Sequence, residues 1–207
     1  MCVGCSAVPK HLRSFVREGH FVYASERHGG TYVDKTKFLS DIPRALKYAD
    51  MVAQHFLGCR VEVVIGPALV GALFAQLVAV QLHLQTHADV SCVFAEKVSR
   101  GVVKPGSVCG YFLGRGFALA GKRVLVVEDV VTEGTAAGAV VELVQAAGGN
   151  VVGVGVLWNR GGVIKEYVGN PPDFFAAIDC TLLSWPANKC PLCAAFVPID
   201  TTLGHGG

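Results

Sequence analysis

The chain has 207 residues, a formal net charge of +2 and a hydrophobic content of 52%. This length suits one domain, with or without a small accessory lobe, and it is enough to bury a substantial core. Charged residues make up only 16% and the mean hydropathy is +0.46, which excludes a disordered chain. Lysines and arginines are scattered along the sequence, so we expect no nucleic-acid-binding surface.

The sequence carries no pattern that requires export or insertion into a membrane. Its first residues lack the long apolar segment of a secretory signal, so a cytoplasmic location is expected. An apolar run over 68–84 is interrupted by Gln76, Gln81 and His83, and a membrane span needs about 20 apolar residues. We interpret this run as a buried helix and expect no membrane partner.

Short β-rich runs alternate with helical stretches, a pattern that predicts βαβ units. Asp41 and Pro43 begin a stretch with helical spacing that ends near Gly58. A polar segment over 98–110 is too irregular for a secondary-structure prediction and suits a mobile loop. Between these two segments, the sequence predicts a buried strand over 61–66, a helix over 70–83 and a strand over 90–96.

The clearest unit begins with a strand over 123–129, continues through a loop into a helix that ends at Ala147, and finishes with a strand that ends at Trp158. Valine and leucine fill both strands almost continuously, which predicts a mostly parallel sheet with helices on both faces. Open sheets of this kind bind ligands at the carboxyl ends of their strands. Glu128 and Asp129 lie at such an end.

The loop after this acidic pair has the composition of a phosphate-binding segment. It offers Thr132, Gly134 and Thr135 at a helix N-terminus, where backbone N–H groups attract an anion. The site suits a sugar phosphate, with its ribose hydroxyls on Glu128 and Asp129 and its phosphate in the loop. The alternative is that the two carboxylates only end a strand and the loop binds nothing.

The segment EDVVTEGTA at 128–136 resembles the motif that binds phosphoribosyl pyrophosphate (PRPP) in type I phosphoribosyltransferases, which has two acidic residues, two variable residues and Thr-x-Gly after an aliphatic run. Other segments resemble one branch of that family, the orotate phosphoribosyltransferases. They are GHF at 19–21, Tyr32 with Asp34 and Lys35, IGPA at 65–68, FAEK at 94–97, RGF at 115–117, WNRGG at 158–162 and CPLC at 190–193.

The resemblance implies an α/β fold, with a mostly parallel central sheet flanked by helices and a small hood built from N-terminal segments, to which C-terminal ones can contribute. It implies a single domain over 1–207. Residues 1–60 would form N-terminal helices and the hood segment, 61–160 the PRPP-binding core, and 161–207 a C-terminal extension with the CxxC pair.

The implied reaction is transfer of the phosphoribosyl group of PRPP to orotate, which gives orotidine 5′-monophosphate and pyrophosphate in de novo pyrimidine synthesis. Thr132 and Arg160 would contact orotate, and an arginine fork suits its carboxylate. The resemblance assigns PRPP binding to Lys97, Glu128, Asp129, Val130, Val131, Thr132, Glu133, Gly134, Thr135 and Ala136.

Lys97 and Asp129 are the candidate catalytic residues. Lys97 would serve as a cation for the pyrophosphate, with Arg100 and Lys104 behind it. Mg²⁺ is expected mainly as a complex with PRPP. A homodimer is expected by analogy with the family, in which the cationic loop reaches the partner subunit's site.

Several positions depart from the family pattern. Glu133 places a carboxylate where Ala or Thr is usual, and it would repel the 5′-phosphate unless it faces solvent. Val70 replaces a common glycine, Glu26 stands where glycine usually follows Ser25, and the usual Lys-x-His spacing is missing after Lys97. Two alternatives stay open: a phosphoribosyltransferase for a purine or other base, and a PRPP-sensing regulator without turnover.

Two CxxC pairs, Cys2 with Cys5 and Cys190 with Cys193, have the spacing of zinc knuckles. Together they would complete a structural Cys₄ zinc site if the termini meet; unligated or redox-active thiols are the alternative. The remaining cysteines are expected to be packing residues. Solvated or core roles are expected for five histidines that show no ligand spacing, namely His20, His28, His55, His83 and His87.

Overall fold

The computed structural model describes residues 8–23, 25–99, 101–102, 104–114 and 117–203. The sequence predictions for Cys2, Cys5, Arg100 and Arg115 lie outside these residues. In chain order, the helices and strands are β1 (Val16–Val22), β2 (His28–Val33), α1 (Lys35–Ser40), α2 (Ile42–His55), β3 (Val63–Pro67), α3 (Val70–Thr86), β4 (Ser91–Lys97), β5 (Tyr111–Leu113), β6 (Arg123–Val131), α4 (Thr135–Ala146), β7 (Asn150–Asn159), β8 (Phe174–Asp179), β9 (Ser184–Trp185) and α5 (Pro191–Ala194).

A six-stranded sheet with the order β5-β4-β3-β6-β7-β8 forms the centre of the molecule. Its strands are parallel except for β5, which pairs antiparallel with β4 at one edge. Because β6 is central, its side chains are buried on both faces: Leu125 and Val127 pack with α2 and α3, and Val124 and Val126 pack with α4. The predicted α/β fold with helices on both faces is confirmed.

The predicted elements of this core are present with small shifts at their ends. Asp41 caps α2, since its carboxylate accepts a hydrogen bond from the backbone N–H of Arg44, and Pro43 lies in the first turn, where it disrupts no helical hydrogen bond. The segment 98–110 has no helix or longer strand among its described residues; its one regular pairing is a bridge between Val108 and Tyr111.

A second sheet, the hood, has the order β1-β2-β9. It joins the two ends of the chain, because β2 from the N-terminal segment pairs antiparallel with β9 from the C-terminal segment. The hood strands, β5 and β8 have no counterpart among the sequence predictions. Since β8 belongs to the central sheet, that sheet continues past residue 160 into the segment expected as a C-terminal extension.

The long apolar helix expected over 70–83 is α3, which packs against α2 and the central sheet. Among the residues that the structure describes, no helix combines the length and the apolar character needed to cross a bilayer.

Candidate active site

A cleft of about 760 Å³ opens at the carboxyl ends of the central strands. The β6–α4 loop (residues 132–134) and the first turns of α4 form one wall, and the end of β4 contributes Lys97. The cleft is therefore where parallel-sheet proteins place their ligands. Its lining includes Glu128, Val130, Val131, Thr132, Glu133, Gly134, Thr135 and Ala136.

The backbone of the β6–α4 loop is shaped by glycine. Gly134 has φ +78°, and a Cβ added there would lie 2.8 Å from Cγ1 of Val168. No side chain caps the N-terminus of α4, and the hydrogen bond from the N–H of Gly138 to the carbonyl of Gly134 begins the helical pattern. The N–H groups that precede Gly138 in the helix have no acceptor within it, so they are available to an anion in the cleft.

The acidic pair at the end of β6 is buried and bound to a lysine. Glu128 and Asp129 are 5% and 2% exposed, and Nζ of Lys35 lies 2.8 Å from Oδ2 of Asp129. Burial opposes the charge on Lys35, but Asp129 and then Glu128 outweigh it, so the pKa of Lys35 is raised. The structure thus adds to the site a cation to which the sequence assigned no role.

Lys35 is held in place by the start of α1. Asp34 caps this helix, since its carboxylate accepts a hydrogen bond from the backbone N–H of Lys37, and Lys35 is the first helical residue. Sequence reasoning noted Asp34 and Lys35 only as part of the family resemblance. The signal was weak because Asp129, the partner of Lys35, is far away in the sequence.

Glu128 is a buried carboxyl group in the cleft with a second carboxylate beside it. Burial, followed by the neighbouring Asp129 carboxylate, raises the pKa of Glu128 well above its ordinary value. The same two carboxylates, after burial, raise the pKa of Tyr111, which also lines the cleft. An added Cβ at Gly71 would lie 2.8 Å from Oε1 of Glu128, so a glycine at the start of α3 leaves room for this carboxylate.

Glu133, the unusual carboxylate of the β6–α4 loop, lies beside a cation. Its Oε1 is 3.8 Å from Nε of Arg27, which follows β1. Arg27 is in turn fixed by β9, because its guanidinium donates hydrogen bonds to the hydroxyl and the carbonyl of Ser184, at 2.9 and 2.6 Å. The half-exposed carboxylate is therefore balanced by a positive charge from the hood.

The predicted pyrophosphate cations have different surroundings. Lys97 is exposed at the end of β4 and lines the cleft. Its ammonium group is therefore accessible to a charged ligand in the cleft. Lys104 instead lies over the ring of Phe112, with Nζ 3.0 Å from the ring centroid. Of these two lysines, only Lys97 is in the cleft.

Arg160 lies next to the cleft but behind an aromatic ring. Its backbone N–H donates to the carbonyl of Val131, which places it beside Thr132. The guanidinium is buried, with Cζ 3.9 Å from the ring centroid of Tyr23 and Nη2 3.4 Å from the carbonyl of Thr31. Nε of Arg160 has no hydrogen-bond partner among the described residues. Thr132 and Tyr23 line the cleft directly, whereas Arg160 is not part of its lining and contacts the Tyr23 ring.

The structure places Cys190 and Cys193 with two histidines, His20 and His28, at a distance from this cleft. The sequence spacing of these histidines gave no sign of a shared site. They meet because β1 and β2 form a hairpin that was not predicted.

Comparisons with known proteins agree with the geometry of the cleft. Residues 35–175 match the family described as phosphoribosyl transferase domain. The orotate phosphoribosyltransferase of Caldanaerobacter subterraneus subsp. tengcongensis is 35% identical over 185 residues, which cover 89% of this chain and 88% of that protein. The orotate phosphoribosyltransferase of Thermotoga maritima is 33% identical over 194 residues, which cover 91% of this chain and 92% of that protein.

A solved structure of orotate phosphoribosyltransferase from Mycobacterium tuberculosis shares the fold, with a TM-score of 0.63 and 22% identity over 82% of this chain and 93% of that chain. The sequence identities and the matched domain extend over both the central sheet and the cleft. The chain therefore belongs to the phosphoribosyl transferase domain family and, within it, to the orotate phosphoribosyltransferases.

Proposed function

We propose that the protein transfers the phosphoribosyl group of PRPP to orotate and releases orotidine 5′-monophosphate and pyrophosphate. One observation supports this most directly: the N-terminus of α4 and the buried Glu128 line the same cleft, and the buried Asp129 lies beside Glu128. An anion-binding helix end beside two carboxylates matches the two ends of a ribose 5-phosphate. The orotate specificity rests on the family to which the chain belongs.

In this reaction the bond between the sugar C1 and the pyrophosphate oxygen breaks, a bond from the orotate ring nitrogen to C1 forms, and the proton of that nitrogen passes to the leaving pyrophosphate or to water. Positive charge develops on the sugar and negative charge on the leaving pyrophosphate, so the enzyme needs positioning and electrostatic stabilisation more than a nucleophile. Asp129 and Glu128 would hold the ribose hydroxyls near the developing positive charge. Lys97 would stabilise the departing pyrophosphate from the other side of the cleft.

The 5′-phosphate would bind to the backbone of Val130 to Ala136 and to the hydroxyls of Thr132 and Thr135. The open N–H groups at the start of α4 support this placement. Arg27 would keep the Glu133 carboxylate from repelling the phosphate, because the two side chains form an ion pair. The ion pair with Lys35 holds the Asp129 carboxylate in place to accept hydrogen bonds from the ribose.

Orotate would bind through Thr132 and Arg160. The buried Nε of Arg160 lacks a partner among the described residues, and such a donor is satisfied when a carboxylate reaches it. Because the ring of Tyr23 covers the guanidinium, entry of orotate requires this ring to move or to stack on the base.

Magnesium is part of the proposal as a complex with PRPP. This ion prefers oxygen ligands and retains several waters, and the carboxylate of Glu128 in the cleft, with that of Asp129 beside it, fits such a complex. The ion would offset the negative charge of the pyrophosphate when it is bound.

We also propose that residues 1–207 form one domain, that the protein is cytoplasmic and that it is a homodimer. Three large apolar side chains support the dimer: Leu69, Leu73 and Phe94 are exposed where β3, α3 and β4 meet. Apolar side chains grouped in this way are typical of a surface between subunits.

The test is an assay of PRPP-dependent loss of orotate absorbance with purified protein and Mg²⁺, run beside a panel of purines and uracil. We expect turnover of orotate alone. Turnover of a purine would show that orotate is not the specific substrate. PRPP binding without turnover of any base would favour a PRPP sensor and contradict the proposed activity.

Arg160→Ala tests the base site within this assay. We expect the KM for orotate to rise by about tenfold or more, since a charged hydrogen bond to the base is lost, while the KM for PRPP stays within about twofold. Arg123→Ala, at the opposite end of β6, is the matched control and should change neither constant. An unchanged orotate KM in Arg160→Ala would refute the assigned role.

A further inference from the structure

Four side chains converge outside the cleft, between the hood and the C-terminal segment. They are His20 on β1, His28 on β2, and Cys190 and Cys193 around α5. Each offers one donor atom, and the four donor atoms all lie within 4.8 Å of one another. None of these residues lines the cleft, and the proposed reaction uses none of them.

Three of the distances between donor atoms match those of a tetrahedral metal site. Zinc bound at about 2.0 Å from nitrogen and about 2.3 Å from sulfur separates its ligand atoms by about 3.3 to 3.8 Å. Sγ of Cys193 lies 3.4 Å from Nδ1 of His28 and 3.7 Å from Nε2 of His20, and Sγ of Cys190 lies 3.6 Å from Nε2 of His20. The two ring nitrogens are 2.9 Å apart, so a small rotation of either ring completes the tetrahedron.

A backbone carbonyl orients His20 as a ligand. Nδ1 of His20 lies 2.7 Å from the carbonyl oxygen of Val197, a geometry in which the ring donates its Nδ1–H. Nε2 then carries a lone pair and points toward the other three donors. Metal-bound histidines almost always have a hydrogen bond of this kind on their second nitrogen.

The surrounding fold brings the two halves of the cluster together. His20 lies where the register of β1 shifts, two residues before the pairing of Val22 with His28, and its ring meets that of His28 in the hairpin. The pairing of β9 with β2 carries the chain back to this hairpin just before Cys190. Three of the four ligands, His20, His28 and Cys190, are buried, so water is largely excluded from the cluster.

We propose that His20, His28, Cys190 and Cys193 bind one Zn²⁺ ion as a closed structural site. Two thiolates and two imidazoles form a donor set that zinc occupies with tetrahedral geometry and no open position. The ion ties the C-terminal segment to the hood and so fixes the hairpin that carries Tyr23 and Thr31. This assignment differs from both alternatives that the two CxxC pairs left open, since His20 and His28 take the ligand positions that a four-cysteine site would give to Cys2 and Cys5.

The first experiment measures metal content by inductively coupled plasma mass spectrometry in the full chain, purified without added zinc or chelator. We expect about one zinc per chain in the wild type and a loss of nearly all of it in Cys190→Ser/Cys193→Ser. Two controls should keep the full zinc content: Cys2→Ser/Cys5→Ser, which removes the other CxxC pair, and Cys59→Ser/Cys92→Ser. Loss of zinc in the first control, or zinc-free wild-type protein, overturns the proposal.

The second experiment needs no variant to fold. Wild-type protein stripped of metal and loaded with Co²⁺ should show the intense visible bands of tetrahedral cobalt together with sulfur-to-metal charge transfer. Weak octahedral bands, or a Cys190–Cys193 disulfide found by mass spectrometry in protein purified under reducing conditions, would contradict the site. Neither experiment uses the enzymatic reaction as its readout, so the outcome is separate from that of the orotate assay.

The third measurement is thermal unfolding. Removal of zinc by a chelator should lower the Tm by about 5 °C or more, because the ion binds only the folded arrangement of its ligands. Cys190→Ser/Cys193→Ser should start at the lower Tm and should not respond to the chelator. An equal chelator effect on the wild type and on this variant would contradict a role for the cluster in stability.

Discussion

The buried position of Glu128 suits the proposed binding of the ribose hydroxyls but lowers the stability of the folded protein. Its pKa is raised by burial and by Asp129, so the folded state holds its proton more tightly than the unfolded state does. The raised pKa therefore lowers the free energy of unfolding. This loss is absent below the ordinary pKa of 4.5, grows as the pH rises above it, and reaches its full size once Glu128 ionises in the folded protein.

Glu128→Gln should therefore be more stable than the wild type at neutral pH, by about 1 to 3 kcal/mol, since it removes the charge from a buried site. The difference should vanish near pH 4. Urea unfolding at several pH values measures this change, and the PRPP assay should show a loss of kcat/KM of about tenfold or more.

Glu62→Gln is the control of opposite sign. Hydrogen bonds from the backbone N–H of Arg123 and from Lys122 lower the pKa of Glu62, so its contribution to stability is present above pH 4.5 and is lost as the pH falls through the folded pKa. This variant should be less stable than the wild type at neutral pH. Equal pH profiles for the two variants would contradict the burial argument.

The β6–α4 loop joins the clearest strand to the clearest helix, and its shape depends on one glycine. Gly134→Ala should destabilise the protein by about 1 to 3 kcal/mol, because it combines a left-handed backbone with a Cβ 2.8 Å from Val168. Gly121 also has a positive φ, +73°, but a Cβ there meets nothing within 4 Å. Gly121→Ala thus measures the backbone strain alone, by urea unfolding.

The difference between the two glycine variants isolates the close contacts of the added Cβ, which would lie 2.8 Å from Val168 and 3.1 Å from both Tyr167 and Val163. We further expect Gly134→Ala to raise the KM for PRPP, because the N–H groups at the start of α4 shift with the loop, whereas Gly121→Ala should leave it unchanged. Equal unfolding free energies for Gly134→Ala and Gly121→Ala would show that the loop accommodates the added Cβ without a cost from these contacts.

The ion pair between Arg27 and Glu133 links the hood to the β6–α4 loop. At 3.8 Å and half-exposed it adds about 0 to 1 kcal/mol to stability, so its role is better tested by binding. Arg27→Ala should raise the KM for PRPP about three- to tenfold by leaving Glu133 unbalanced near the phosphate. The double variant Arg27→Ala/Glu133→Ala should return the constant to near the wild-type value. If the double variant binds PRPP as poorly as Arg27→Ala, the carboxylate is not the cause.

The central elements could be predicted because each is a local pattern. Long valine-rich runs gave β6 and β7, and helical spacing after Asp41 gave α2. Glu128 and Asp129 could be predicted as site residues for the same reason, since they directly follow the apolar run of β6 in the sequence. The predicted ends differ by a few residues because hydrogen bonding to neighbouring strands, which lie elsewhere in the sequence, decides where a strand stops.

The hood and its contacts could not be predicted because they depend on distant partners. β1 and β2 are interrupted by glycine and lack the alternation that marks a half-buried strand, and β9 has only two residues. The pairing of Lys35 with Asp129, and the meeting of His20 with Cys193, arise only once the topology is fixed.

At the scale of the whole molecule, the apolar surface around α3 is the surface through which the proposed dimer would form. We expect light scattering to give the mass of a dimer for the wild type and of a monomer for Leu73→Glu, because a carboxylate in an apolar interface is not solvated. Leu84→Glu alters a similarly exposed leucine on the same helix and should remain dimeric. A dimeric Leu73→Glu protein would place the interface elsewhere.

The hood also has a consequence for how the chain folds during synthesis. Its first two strands are made before the central sheet, but β9 and α5, which complete it, are made after that sheet. At ordinary elongation rates the hairpin waits about 8 to 30 s for its third strand. During that interval β2 exposes an unpaired edge, so truncated chains that end before residue 184 should be prone to aggregation.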